Sequence, residues 1–174
     1  MSLTSPRLFV HKLSQIEGRA ENGRWLRAMP SDKVNELLDP AGNCERGGRI
    51  NPPGSFRVLY ATEDEAGCRP RILECLDDSP GAVVAVFEAY LSKVLDLACS
   101  ATRRKLGVSV RDLANGDDPR IAQAIGISAY NAGFEAIIYP RPSRPKCRNL
   151  AIFTDRVSSE NIRLIEILSP IFQH

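Results

Sequence analysis

Short apolar runs, separated by polar or glycine- and proline-rich segments, recur from one end of the chain to the other. Runs of about four to eight residues that are rich in valine, isoleucine, leucine and aromatic side chains are typical of buried β-strands. We therefore predict strands over residues 8–13, 56–61, 82–90, 136–139, 150–153 and 163–168, the third continuing toward Leu97.

Helical spacing appears between these runs. Ile121, Ala122 and Ile125 lie three and four positions apart, as on one face of a helix, and Pro119 suits the first turn that precedes them. Helices are predicted over residues 31–38, from 72–76 onward, and over 118–133. The polar residues 14–24 and the glycine- and proline-rich residues 39–55 are predicted to be loops. The whole pattern indicates a mixed α+β domain with about five or six strands.

Composition places the chain among globular proteins. Of its 174 residues, 43% are hydrophobic and 25% are charged, so a single domain over residues 1–174 can bury a substantial core. The apolar runs fall far short of the roughly 20 residues that a membrane-spanning helix needs. Residues 1–9 also lack the charged start and apolar centre of a secretory signal. We therefore expect a cytoplasmic protein without a membrane segment.

The charge balance and the small number of metal-binding residues argue against several classes of binding and catalytic site. With 23 basic and 21 acidic residues, the net charge of +2 gives no broad field for nucleic acid. The five cysteines form no Cys-x-x-Cys pair, and the histidines are His11 and His174. We therefore predict reduced thiols, no metal site and no Ser-His-Asp triad. No Gly-x-Gly-x-x-Gly or P-loop motif occurs, which leaves those nucleotide-binding folds unsupported.

The most informative segment is the glycine- and arginine-rich stretch at residues 46–54, which leads into the strand at 56–61. Glycine lets a backbone approach a ligand closely, and a guanidinium group offers paired donors that match phosphate oxygens. Arg49 is therefore a candidate phosphate ligand. On this local pattern alone, a solvated turn with a surface arginine is the more common explanation.

Glu74 and Tyr60 are further candidates. Apolar residues flank Glu74 on both sides, so we expect its carboxylate to be partly buried or to face a cleft, as functional carboxylates often do. The alternative for Glu74 is the exposed face of a short helix, and the alternative for Tyr60 is a core aromatic residue.

A proline-rich basic loop follows the strand at residues 136–139. Arg141, Arg144, Lys146 and Arg148 lie within eight positions. The loop of residues 141–148 supports a second hypothesis, a non-catalytic interaction module that binds nucleic acid or an acidic protein. A solvated basic loop is the more common explanation of such a run.

The order of several short motifs resembles the RES domain family, which is named for its Arg, Glu and Ser residues. The motifs are Gly-Gly-Arg-Ile-Asn-Pro-Pro-Gly at 47–54, Val-Leu-Tyr-Ala at 58–61, Leu-Glu at 73–74, Ala-Gly-Phe at 132–134, Tyr-Pro at 139–140 and Arg-Asn-Leu-Ala at 148–151. Members are typically toxins of toxin–antitoxin pairs that consume NAD. The resemblance implies an ADP-ribosyltransferase-like α+β fold with central mixed β-sheets and short flanking helices.

The resemblance also implies particular site residues. The family arginine falls on Arg49, with Asn51 two residues later, and the family tyrosine falls on Tyr60. All three would bind the dinucleotide, with Arg49 on its pyrophosphate and Tyr60 against the nicotinamide ring.

The family glutamate and serine are placed less directly. The glutamate falls on Glu74, with Glu65 as the alternative. The serine falls on Ser143, although Arg141 stands where the family usually has its Tyr-Pro-Ser serine. Ser143 or Asn149 would orient the glutamate or the ligand through hydrogen bonds.

The activity that the resemblance implies is cleavage of the bond between nicotinamide and ribose in NAD, which is a substrate and not a bound cofactor. A carboxylate from Glu74 would oppose the positive charge that develops on the ribose. The acceptor stays open among water, phosphate and a protein side chain, so the enzyme is a glycohydrolase, a phosphorylase or an ADP-ribosyltransferase. A helical, DNA-binding antitoxin is the implied partner, and the oligomeric state is open between a monomer and a homo-oligomer.

Overall fold

The computed structural model describes residues 6–78, 81–114, 116–141 and 144–169. The helices within these ranges are α1 (Pro6–Ser14), α2 (Ala41–Arg46), α3 (Glu65–Asp78), α4 (Ser100–Leu106), α5 (Val110–Ala114) and α6 (Arg120–Asn131). The strands are β1 (Arg19–Pro30), β2 (Val58–Thr62), β3 (Ala82–Asp96), β4 (Ala136–Arg141), β5 (Arg144–Phe153) and β6 (Ile162–Leu168). Short 3-10 segments cover Ser31–Glu36, Thr154–Arg156 and Ser159–Asn161.

The six strands in the described ranges form one mixed sheet in the order β1-β2-β5-β4-β3-β6. Because β1 also pairs with β3, the first five strands close into a ring. β3 and β4 run parallel, whereas the other pairs are antiparallel. The adjacent strands β4, β5 and β2 place Tyr139 opposite Asn149, and Asn149 opposite Thr62. These strands therefore form a wall that carries several of the candidate side chains.

The largest apolar cluster packs helix α6 against this wall. Ala122, Ile125 and Ala129 lie on one face of α6 and are fully buried. They belong to the same cluster as Val58 of β2 and Phe153 of β5. Complete burial of a side chain such as isoleucine contributes about 1.5–3 kcal/mol. This packing fixes α6 beside the chain segment that leads into β2.

The structure confirms the mixed α+β architecture and most of the predicted elements. The strands predicted at residues 56–61, 82–90, 136–139 and 163–168 correspond to β2, β3, β4 and β6, and residues 150–153 lie in β5. The helix predicted over 118–133 is α6, and residues 72–76 lie within α3. Among the described residues, no helix combines the length and the apolar character needed to cross a membrane.

Two predictions near the start of the chain are wrong. Residues 8–13 lie in helix α1 and not in a strand, because Phe9 and Leu13, four positions apart, are buried together while Val10 is 54% exposed. An apolar segment of six residues fits both the two-residue period of a strand and the 3.6-residue period of a helix. Packing of this segment against α6 favours the helix. Residues 19–24 were expected to be a loop but begin β1, where pairing with β3 stabilises a polar sequence.

The short helices were also missed. α2 lies inside the predicted loop at residues 39–55, and α4 and α5 follow β3 without a predicted counterpart. These helices have six, seven and five residues, so each is too short to show a helical period in the sequence.

Candidate active site

The segment between α2 and β2, residues 47–57, carries Arg49 and is called the arginine loop here. Helix α6 holds this loop in place. Ile50 is fully buried, and a Cβ atom at Gly126 would come within 2.0 Å of the Ile50 carbonyl oxygen, so glycine permits this close approach. One turn earlier in α6, Gln123 Nε2 donates a hydrogen bond of 3.0 Å to the carbonyl of Gly48. The backbone is therefore fixed on both sides of Arg49.

The buried side chain of Asn51 holds the arginine loop through hydrogen bonds. Its side chain is completely buried, and Nδ2 donates hydrogen bonds to the carbonyls of Asn43 (2.8 Å) and Phe56 (3.2 Å). Oδ1 of Asn51 accepts a hydrogen bond of 2.7 Å from the Tyr60 hydroxyl. The amide is thus engaged by protein groups on both sides, and its contacts position the loop.

Tyr60 connects the arginine loop to β2. Its hydroxyl oxygen accepts a hydrogen bond of 2.9 Å from the backbone N–H of Ile50. A Cβ atom at Gly48 would lie 2.6 Å from the same oxygen, so glycine leaves the space that the ring occupies. Burial raises the pKa of Tyr60 to about 12. The hydroxyl is therefore neutral at ordinary pH and acts as a fixed donor and acceptor.

Two adjoining clefts open on the wall formed by β2, β4 and β5. The larger cleft has a volume of about 550 Å3 and runs between β1, α2, β2 and α3. The smaller has a volume of about 250 Å3 and lies beside α5. Tyr139 and Asn149 line both clefts, so the two clefts are neighbours that share part of their lining.

Arg49 lines the smaller cleft together with Arg141 and Asn149. Nη1 of Arg49 is buried and has no hydrogen-bond partner among the described residues. Burial raises the pKa of the neighbouring Tyr139, with Tyr60 adding to the rise and the positive charge of Arg49 opposing it. A buried guanidinium nitrogen without a partner is costly, and an anion in this cleft would supply the missing acceptor.

Glu74 does not lie in either cleft. It projects from α3 with 63% of its side chain exposed, and its carboxylate pairs with Arg71 at 2.9 Å. The expectation that Glu74 is partly buried is therefore wrong. Because α3 buries Ile72 and Cys75, the adjacent Glu74 falls on another face of the helix, and neighbours in sequence do not share its environment.

Of the other residues considered for the glutamate and serine positions, Glu65, Arg141 and Asn149 lie within the described part of the chain. Glu65, at the start of α3, is exposed. Ser143 lies outside the described residues. Arg141 lines the smaller cleft, and its Nη1 donates a hydrogen bond of 2.9 Å to the Ala66 carbonyl. Asn149 lies in β5 at the boundary between the clefts, where its side chain is half-buried.

The predicted basic loop at residues 141–148 lies largely in strands, with Arg141 at the end of β4 and residues 144–148 in β5. Arg148 Nε donates to the Glu63 carboxylate at 2.6 Å, and its guanidinium carbon lies 5.5 Å from the centre of the Trp25 ring. Arg141 in turn donates a hydrogen bond to the Ala66 carbonyl. Two of the four cations of this segment, Arg141 and Arg148, therefore contact other parts of the protein. The interaction-module hypothesis thereby loses much of its support.

Sequence reasoning missed several residues of the larger cleft. Arg27 and Arg71 line it from β1 and α3. These residues are far apart in sequence, and no local motif connects them. Among the described residues, no group of three or more His, Cys, Asp or Glu side chains is arranged to hold a metal ion.

Two known proteins resemble this chain, one in sequence and one in fold. The chain is 30% identical over 154 residues to a probable NAD(+) phosphorylase of Mycobacterium tuberculosis, an alignment that covers 84% of this chain and 71% of the relative. Its fold is similar to the crystal structure of the M. tuberculosis MbcT-MbcA toxin–antitoxin complex, with a TM-score of 0.79 and 18% identity. That match covers 94% of this chain and 92% of the other.

The motif-based resemblance is confirmed by a family match. The RES domain matches residues 19–167, which include the arginine loop, Tyr60, both clefts and the strands between them. The chain therefore belongs to the RES domain family.

Proposed function

We propose that this protein is an NAD-cleaving enzyme of the toxin type, which breaks the bond between nicotinamide and ribose. The observation that carries the proposal is the buried Nη1 of Arg49, which has no hydrogen-bond partner among the described residues and lies in a cleft that shares Tyr139 and Asn149 with a larger one. A dinucleotide joins two nucleosides through an anionic pyrophosphate, so it suits two neighbouring clefts whose linings both contain arginine side chains. The similarity to a probable NAD(+) phosphorylase supports this ligand.

In this proposal each residue has a defined task. Arg49 binds the pyrophosphate through its free guanidinium donor, and Asn149 contacts the ligand where the two clefts meet. Tyr60 and Tyr139 present aromatic surface in the larger cleft, against which the nicotinamide ring packs. Asn51 acts on Arg49 indirectly, because its Nδ2 and Oδ1 are both engaged in hydrogen bonds that hold the arginine loop.

The chemistry requires negative charge near the ribose. Nicotinamide leaves as a neutral base and C1′ of the ribose acquires oxocarbenium character, which a nearby anion stabilises. The family pattern implies Glu74 for this task, and because Glu74 lines neither cleft, it would reach the ribose only after its pair with Arg71 opens. Its pair with Arg71 is exposed, and exposed ion pairs contribute at most about 1 kcal/mol. An anion bound by Arg71 would therefore release the Glu74 carboxylate for the substrate at little cost.

Release of nicotinamide from NAD by the purified protein tests the proposal. Arg49→Ala should lower kcat/KM for NAD about 10- to 100-fold, since a charged hydrogen bond contributes about 1.5–3 kcal/mol. Arg57→Ala is the matched control, because Arg57 belongs to the same loop, is exposed and lines neither cleft. The absence of nicotinamide release by folded, partner-free protein would refute the proposed activity.

The biological role follows from the same chemistry. An enzyme that drains cytoplasmic NAD harms its own cell, so we propose that a partner protein acts as its antitoxin by covering the clefts. The similarity in fold to a protein in a toxin–antitoxin complex supports this arrangement. Expression of the wild-type chain should arrest growth of a bacterial host, whereas the Arg49→Ala variant should not. Growth arrest that persists in Arg49→Ala would contradict a toxicity based on NAD cleavage.

A further inference from the structure

Strand β6 forms an edge of the sheet and exposes apolar side chains. Among the described residues it pairs with β3 alone, so the backbone groups on its outer side have no strand partner. Leu164, Ile165 and Ile167 are 40%, 47% and 45% exposed. Natural proteins commonly place lysine or proline on an edge strand to prevent pairing with another chain. Neither residue type occurs in β6, so this edge is suited to pairing with a further strand.

A register shift in β6 determines which of its side chains share a face. The shift falls at Ile165, which lies between the partners of Val86 and Phe87 and is therefore an extra residue, as in a β-bulge. Residues opposite each other in an antiparallel pair share a face of the sheet. The face that carries Phe87 therefore carries Ile162, Leu164 and Ile167, and the other face carries Arg163, Glu166 and Leu168.

Two copies of β6 complement each other in one antiparallel register. In this two-fold symmetric register, Arg163 of each copy lies opposite Glu166 of the other, and Ile162 lies opposite Ile167. Residues three positions apart face opposite sides of a regular strand. The extra residue Ile165, beside the symmetry axis, removes this conflict, so that the two charges share one face and the two isoleucines share the other.

The charges of β6 favour a second copy over a partner strand that carries charges of one sign. Arg163 and Glu166 are its two charged residues, and opposite charges directly across an antiparallel pair are stabilising. A purely acidic or purely basic strand would place like charges opposite one of these residues, which is destabilising. A second copy supplies both opposite charges and also an apolar surface of the same kind.

We propose that this protein forms a two-fold symmetric homodimer in which β6 pairs antiparallel with β6 of a second copy. The pairing gives the outer backbone N–H and C=O groups their partners and continues the sheet from one copy into the other. It also removes part of the exposed surface of Leu164, Ile165 and Ile167 from water. The inference does not depend on NAD cleavage, since no residue of β6 lines either cleft.

The expected interface is small. β6 has seven residues, whereas stable interfaces bury about 1,200–2,000 Å2 in total. A pair of such strands lies at or below the lower end of this range. We therefore expect a reversible dimer with a dissociation constant of about 1–100 µM, the affinity of a weak interface.

Sedimentation velocity of the purified protein over this concentration range tests the proposal. The wild-type chain should shift from its monomer mass of 19.2 kDa toward twice that mass. Ile165→Lys should raise the dissociation constant about 100-fold, because it places two lysines beside the symmetry axis of an apolar interface. Leu73→Lys is the matched control, since Leu73 is 48% exposed on helix α3 and should leave dimerisation unchanged.

Wild-type protein that stays monomeric throughout the range would overturn the proposal and leave the β6 edge to a different partner. Equal dissociation constants for wild type and Ile165→Lys would also overturn it, as would an equal loss of dimer in Ile165→Lys and Leu73→Lys. Thermal denaturation shows whether each variant is folded.

Charge exchange tests the register and serves even if Ile165→Lys fails to fold. Arg163→Glu and Glu166→Arg each place like charges opposite each other, so each variant alone should dimerise more weakly than the wild type. An equimolar mixture of the two should recover the dimer, because each variant then supplies the charge that the other lacks. A mixture that stays monomeric under conditions where the wild type dimerises would overturn the proposed pairing.

Discussion

The Tyr60 hydroxyl donates a hydrogen bond of 2.7 Å to Oδ1 of Asn51 and so joins strand β2 to the loop that carries the candidate anion ligand. The same oxygen accepts the backbone N–H of Ile50, the residue directly after Arg49. Both bonds lie within a buried or half-buried environment. The position of the Arg49 backbone therefore depends on a residue that is itself part of the larger cleft.

Replacing Tyr60 with phenylalanine should destabilise the protein and misplace Arg49. The change leaves the Ile50 N–H and Asn51 Oδ1 without their partner, and a buried group left unsatisfied costs about 1–3 kcal/mol. We expect the free energy of unfolding to fall by about 2–3 kcal/mol, measured by urea denaturation. Tyr90→Phe is the control, since Tyr90 is 43% exposed and bonds to Glu88. An equal loss in both variants would contradict the structural role of Tyr60.

The raised pKa of Tyr60 predicts sensitivity to alkali. The pKa rises from its ordinary value of 10.0 to about 12, mainly through burial. Because the folded state favours the protonated hydroxyl, this contribution to stability is complete below pH 10 and is lost as the pH rises toward 12. Ultraviolet titration of wild type minus Tyr60→Phe should show a phenolate midpoint near pH 12. A difference midpoint at about pH 10 would show that the hydroxyl is not buried.

The sequence identified the arginine loop because the elements of its motif are local. Arg49, Asn51 and Tyr60 lie within one short segment, and the structure brings them into contact through the loop and the following strand. The α6 helix was predictable for the same reason, since its twelve residues repeat an apolar face.

The rest of the cleft depends on contacts between distant parts of the chain. Arg27 and Arg71 line the same cleft because α3 packs against β1, and nothing near either residue in the sequence marks it as a ligand. Glu74 was expected to be partly buried, whereas the structure bears out the alternative, the exposed face of a helix. Leu73, one of its apolar neighbours, is itself 48% exposed. The local sequence therefore identifies which residue types could bind a ligand, whereas tertiary packing determines which of those side chains face the clefts.

Gly126→Ala should disturb the arginine loop through α6. The new Cβ atom would lie 2.0 Å from the Ile50 carbonyl oxygen, so either the loop or the helix must move. Overpacking of this kind costs about 1–3 kcal/mol, and we expect a corresponding loss in the free energy of unfolding together with weaker NAD binding. Gly23→Ala is the control, because its nearest neighbour would lie 3.8 Å away. Thermal and urea denaturation of both variants give the comparison.

Glu74→Gln should separate catalysis from folding. Its ion pair with Arg71 is exposed, so its loss should change the free energy of unfolding by less than about 1 kcal/mol. If Glu74 stabilises the developing charge on the ribose, kcat for nicotinamide release should fall by about 100-fold or more, the range found for one preorganised electrostatic group. KM for NAD should change little, because the carboxylate acts mainly in the transition state.

Two further variants of α3 complete the Glu74 experiment. Asp77→Asn removes an exposed carboxylate of the same helix and should leave kcat unchanged. Glu65→Gln tests the alternative position of the family glutamate at the start of α3. A loss of kcat in Glu65→Gln with normal turnover by Glu74→Gln would transfer the role to Glu65. Normal turnover in both variants would mean that neither carboxylate serves the reaction.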